Sequence, residues 1–142
     1  MATTPDVLLN RVRSLMVNAP FYWREAVSSE DFMWQGGGSS DAVFRAKMDG
    51  GTSIGGFAYS EDRTDTLTVE ISRHIAADYH YTTQQLVGDC NSLITAIIRD
   101  GHETSGLYTV PDGGRSWETS APTGASYLTM RLTVPINYEA QV

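Results

Sequence analysis

Hydrophobic and polar positions alternate with two different periods along this chain, and the changes of period mark its elements. Val7, Leu8, Val12, Leu15 and Met16 recur at helical spacing. Thr4 can cap that run, Pro5 suits a first helical position, Asp6 complements the dipole, and Asn18-Ala19-Pro20 stops it. The pattern predicts an N-terminal helix over about 4–18. In TLTVEISRHIA the period falls to two, with Leu67, Val69 and Ile71 on one side and Thr68, Glu70 and Ser72 on the other, which predicts a strand over about 65–76 with one wet face.

The helical period then returns in TTQQLVGDCNSLITAIIRDG. Leu86, Val87, Cys90, Leu93, Ile94, Ile97 and Ile98 make one apolar stripe, predicting a helix over about 82–100. Thr82 with Gln85 reads as a capping box, Tyr81 with Leu86 as its hydrophobic staple, and Gly101 as the residue just past the end. The last third, about 107–139, reads as strands again. Segments around Leu107–Val110 and Arg115–Thr119 flank Asp112-Gly113-Gly114, which has hairpin-turn chemistry.

The long run SYLTMRLTVPINYE closes the pattern, with Leu128, Met130, Leu132, Val134, Ile136 and Tyr138 on one parity. Pro135 has no amide proton for a ladder, so that strand is expected to lie at a sheet edge there or to leave the sheet. A long edge strand needs a cover, and a neighbouring subunit is one.

Residues of about 21–60 carry a weaker pattern. FYWREAV, EDFMW and AVFRAKM are short runs separated by QGGGSSD and DGGTSIGG, read as strands joined by glycine-rich loops or hairpin tips. The order of helix, strands, helix, strands predicts an α+β fold: an antiparallel or mixed sheet with one long amphipathic helix packed on one face, plus the N-terminal helix. At 142 residues the chain is expected to form a single domain, 1–142, around one core.

Composition narrows the function classes. Ten basic against seventeen acidic residues give a net charge of −7, and the basic residues are scattered arginines with the single Lys47, so no basic stripe exists to grip nucleic acid. No apolar run approaches the roughly 20 residues that span a bilayer, and the N-terminus lacks secretion-signal layout, so a soluble protein made in a reducing cytoplasm is expected. Cys90 is the only cysteine. It excludes an internal disulfide and sits where a helix should bury it.

No motif demands chemistry. His74, His80 and His102 could be brought together by folding, but no HExxH pattern, i, i+4 pair or cysteine partner supports a metal site. The serines have no GxSxG context, the glycine loops lack GxxxxGK[ST] and GxGxxG, and SEDRTD and RDGHE are compositions of solvated element ends. The expectation is a protein with no catalytic residues, no metal and no cofactor.

The aromatic residues say more. Phe21, Tyr22, Trp23, Phe32, Trp34, Phe57, Tyr59 and Trp117 lie in or beside the irregular segments. They fit a second small core under the loops or, where exposed beside arginine, a subunit contact. The contact set expected on the second reading is Phe32, Trp34, Phe57, Tyr59 and Trp117, with Arg131 on the terminal strand.

A capped N-terminal helix, a glycine-interrupted strand region, the TLTVEI strand, one long amphipathic helix, a Trp-containing hairpin and the closing YLTMRLTVPINYE strand together resemble the tail terminator (tail completion) proteins of long-tailed bacteriophages. The resemblance covers most of the chain and is one of layout. It implies a virion structural protein at the tail-neck junction: a homohexameric ring that caps the tail tube, stops its polymerisation and meets the head-tail connector or stopper protein, with DNA passing through the lumen without specific binding. An acidic surplus would let that DNA slide. Two alternatives remain at this level: a tail tube or other neck ring protein, and a small-ligand-binding α+β module.

Overall fold

The computed structural model describes residues 2–26, 42–57, 60–75, 79–104, 106–120 and 127–141. Among these residues two helices and six strands follow one another as α1 (Pro5–Val17), β1 (Arg24–Glu25), β2 (Val43–Phe57), β3 (Ser60–His74), α2 (Tyr79–Glu103), β4 (Tyr108–Thr109), β5 (Ser116–Ser120) and β6 (Tyr127–Gln141). The strands form one mixed sheet in the order β1-β2-β3-β6-β4, with β5 also on β6. Only the short β1–β2 pair is parallel among these strands; the others are antiparallel. The α+β fold expected from the pattern is the one found.

The alternation in the terminal strand becomes a division between two faces. Leu128, Met130, Leu132, Val134, Ile136, Tyr138 and Ala140 are all buried. Register places Ile71, Val69 and Leu67 of β3 opposite Met130, Leu132 and Val134, and Phe44, Ala46 and Met48 of β2 beside that same row. Both helices lie on this side. Leu8, Val12 and Met16 of α1 and Leu86, Cys90, Leu93 and Ile97 of α2 complete one core with them. Such a layer forms because each element has an apolar stripe that only the other can remove from water.

Three expectations about ends and turns are corrected. The terminal strand is interior to the sheet: β3 pairs with its whole length on one side, while β5 and β4 pair with Thr129–Thr133 and Asn137–Tyr138 on the other. Thr3 adds a bridge at Ala140. Pro135 falls in the gap between β5 and β4. Thr3 N–H donates to Glu139 O and Gln141 N–H to Thr3 O, so odd-numbered residues of β6 turn their backbone polar groups outward. Pro135 therefore turns its proton-less nitrogen into the gap, and the strand keeps its ladder with β3. Among the described residues the predicted edge is reduced to the short gap Val134–Ile136 and to the start of the strand at Tyr127–Leu128.

β4 and β5 do not form a hairpin. They lie end to end along β6, and Asp112-Gly113-Gly114 belongs to the link between them. Gly114 has φ +82°, and a Cβ there would come within 3.2 Å of the Pro135 ring. The DGGTSIGG segment is not a loop tip. It continues β2, which absorbs its extra residues in irregularities between Asp49 and Thr52 and between Ser53 and Gly55.

α2 is longer than its cap signals predicted. It starts at Tyr79, so Thr82 is a fully buried residue inside the helix, and Tyr81 is half exposed there. Gly101 also lies inside the helix. A Cβ on it would meet Tyr108 O at 2.7 Å, so glycine serves close approach of β4. At α1 the predicted ends hold within a residue, although the N-cap Thr4 makes no side-chain cap bond.

Polar groups join these layers at their margin. Arg11 on α1 reaches Asp100 on α2 with Nη2–Oδ1 2.7 Å and Nε–Oδ2 3.1 Å, and Tyr108 donates its hydroxyl to Asp100 Oδ2 at 2.9 Å and to Ile97 O at 2.8 Å. Burial raises the Asp100 carboxyl, but the hydrogen bonds from Arg11 and Tyr108 and the arginine charge outweigh it, leaving the pKa below the usual value. The same network, after burial, pushes the Tyr108 hydroxyl well up.

Candidate assembly surface

The face of the sheet turned away from the helices is polar and ordered in rows. Register puts Arg45 of β2, Glu70 of β3, Arg131 of β6 and Glu118 of β5 side by side. Arg45 Nε lies 2.9 Å from Glu70 Oε1, and Arg131 Nη1 lies 3.3 Å from Glu118 Oε1. Charges thus alternate across four strands. Each pair is partly or largely exposed, so the row contributes little net stability; its information is in its order.

Trp117 and Arg131, two of the expected contact residues, are described and stand on opposite faces. Trp117 pairs in register with Leu132, so it shares the helix face, where it is 46% exposed. It lines an open groove of about 370 Å³ with Asn91 and Ile94 of α2 and with Asp112–Arg115 of the β4–β5 link. Arg131 belongs to the polar row on the other side. Phe57 ends β2, its backbone paired with Ser60. Phe32, Trp34 and Tyr59 lie outside the described residues.

Other aromatics go to the core reading. Trp23 is 5% exposed and packs its ring 4.7 Å from that of Phe21, whereas Tyr22 is well exposed. A second open groove of about 360 Å³ runs between Pro20 and Phe21 and the Asn91–Arg99 side of α2. The stripe on α2 is narrower than the sequence implied. Val87 and Ile94 are partly buried and Ile98 is exposed, because a straight helix turns these positions to the margin of the sheet.

The residues weighed for chemistry are dispersed. His74 meets Tyr127 edge-on at 5.3 Å, His80 lies beside Gln84 at 3.3 Å, and His102 is exposed near the end of α2. Among the described residues no three His, Cys, Asp or Glu side chains converge as a metal site. Burial, with a smaller contribution from Asp89, pushes the Cys90 thiol up to about 12, which suits a packed side chain. No described helix is long and apolar enough to cross a membrane.

The remaining feature is the pair of outer strand edges. At β2, Arg24 N–H donates to Ala42 O and Ala26 N–H to Phe44 O, so even-numbered residues there turn their backbone groups outward. β1 ends at Phe44, and among the described residues nothing pairs with the outer edge of β2 beyond it. At the opposite side, β5 uses Ser116, Glu118 and Ser120 towards β6, which leaves the backbone groups of Trp117 and Thr119 facing outward. No described strand pairs with them. No family model matches this chain, and no curated protein matches it.

Proposed function

We propose that this chain is a ring-forming structural protein of the virion, of the kind the phage tail terminators represent. One observation carries the reading: among the described residues a single sheet has two unlike edges on opposite sides with no strand paired to them, β2 beyond Phe44 and β5. Unlike edges associate head to tail, and head-to-tail association yields a closed ring when the rotation per copy closes. A side-by-side ring of such sheets would leave its two rims for other partners, the tail tube protein on one and the head-tail connector or stopper on the other. DNA would traverse the lumen without specific contacts, consistent with a net charge of −7. The role needs no cofactor and no catalytic residue.

Light scattering over a wide concentration range, with negative-stain images of the same fractions, tests the reading. The expected result is a closed ring of six copies that never elongates. Open-ended filaments would replace the terminator by a tube protein. A strict monomer that gains thermal stability from a small ligand would replace both by a ligand-binding module.

A further inference from the structure

We infer that the joint between copies is an antiparallel strand pair in one defined register, Arg45–Asp49 of one copy against Ser116–Ser120 of the next, an inference that rests on the ring reading above. Three independent features select it. The first is length. Among the described residues β1 pairs with β2 up to Phe44 and no strand pairs with its outer edge beyond, and the irregularity after Asp49 ends the regular edge, so the regular stretch without a described neighbouring strand runs Arg45–Asp49, the same length as the five-residue β5.

The second is backbone direction. β2 runs opposite to β3, β6 runs opposite to β3, and β5 runs opposite to β6. β2 and β5 are therefore themselves antiparallel. In a closed ring every copy keeps the same strand directions relative to the axis, so β5 meets the next β2 antiparallel, and strands tilted to that axis take up the two-residue stagger between copies. Hydrogen-bonded pairs must join outward-facing residues to outward-facing residues. Trp117 opposite Met48 and Thr119 opposite Ala46 meet that condition. Of the two neighbouring registers that also meet it, one sets Thr119 on Phe44, with which β1 already pairs, and the other sets Trp117 on Gly50, inside the irregularity after Asp49.

The third is side-chain chemistry, which played no part in choosing the register. Glu118 then falls opposite Lys47, the two being among the most exposed charges on this face, at 70% and 66%. Their pairing sets one further opposite charge, that of the next copy's Lys47, after the Arg45, Glu70, Arg131 and Glu118 row. On the helix side the exposed Trp117 falls opposite the partly buried Met48, and an indole against a thioether is a favourable contact. Lys47 also guards its own edge against unrelated strands, which fits a joint that accepts one partner and rejects others.

Within one copy Lys47 and Glu118 are three strand spacings apart, about 14 Å, too far for a disulfide. Across the joint they form a close, non-hydrogen-bonded pair. Replacing Lys47→Cys and Glu118→Cys in the full chain should therefore give, on oxidation, a ladder of covalent multimers, while neither single replacement does so; the native Cys90 is buried. Charge reversal provides the second arm. K47E and E118K each should weaken self-association at least tenfold by sedimentation, and the double reversal should recover most of the loss, with monomer melting unchanged throughout. A ring that forms from the native chain but shows neither cross-linking nor recovery would overturn this joint and leave the ring reading standing. A native chain that stays monomeric at every concentration would overturn both.

Discussion

Leu93→Ala should destabilise the folded chain by about 2–5 kcal/mol, read as a fall in the urea midpoint with an unchanged slope. Leu93 is 0% exposed and lies in the middle of the Leu86, Cys90, Leu93 and Ile97 row of α2, pressed into the core that both helices share with the sheet. Truncation removes the transfer free energy of the lost carbons and leaves a cavity that a helix held at both ends cannot close. The companion change Ile98→Ala, five residues further along the same helix and 41% exposed, should stay within about 0.5 kcal/mol. Equal losses at the two positions would mean that the helix sits on the sheet in a different rotation.

Asp65→Ala should cost about 3 kcal/mol, although the residue lies near the far end of the sheet. Asp65 is 0% exposed on the helix face of β3, across from Ile136. Tyr138 donates its hydroxyl to Oδ2 at 2.7 Å, and Arg63 Nη2 lies 3.2 Å from Oδ1, though off the hydrogen-bonding direction, so that oxygen has a charge partner without a hydrogen bond. Burial first, and then the hydrogen bond to Asp65, raise the Tyr138 hydroxyl. Alanine would leave that hydroxyl without an acceptor and the guanidinium without its buried counter-charge. The cost stays near the lower end for broken buried pairs because Arg63 is 22% exposed and retains Glu61 at 3.7 Å. Tyr138→Phe should cost only about 1 kcal/mol, and the double variant less than the sum of the two, as measured by a denaturation cycle. A fully additive cycle would show that the two groups do not act together.

The period of the hydrophobic pattern made both helices, the core face of β3 and the core face of β6 readable, because each of those elements has one buried side and periodicity reports that directly. What it could not report is which strand lies beside which. Pro135 correctly announced an unpaired position, but an interior strand between two short neighbours produces the same residue as an outer strand. The glycines of DGGTSIGG signalled irregularity, and local composition does not separate an irregular strand from a turn. Thr82 and Gly101 carried cap chemistry and were overridden by packing: one is buried within the helix, and the other makes room for Tyr108.

The contact surface was legible only in part. Trp117 was found as an exposed aromatic and Arg131 as a charge on the terminal strand, yet they fall on opposite faces. Their common element is β5, to which one belongs and the other pairs. Lys47, Met48 and Glu118 were missed. A faint signal was present in the alternation of AVFRAKM and of SWETS, each with a charge on the side opposite its large apolar residue. That signal becomes meaningful only once the sheet order shows that SWETS lies at one side of the sheet and AVFRAKM at the other, flanked among the described residues only by the two-residue β1.

Amide hydrogen exchange, compared between isolated and assembled protein, addresses the claim that the sheet is completed by its own copies. Lys47 and Glu118 already turn their backbone groups inward to β3 and β6, whereas Ala46, Met48, Trp117 and Thr119 turn theirs outward. The account predicts that these four amides gain protection together on assembly while those of Lys47 and Glu118 change little. Assembly that protects the outer side of α2 and leaves the four exchanging as before would contradict it.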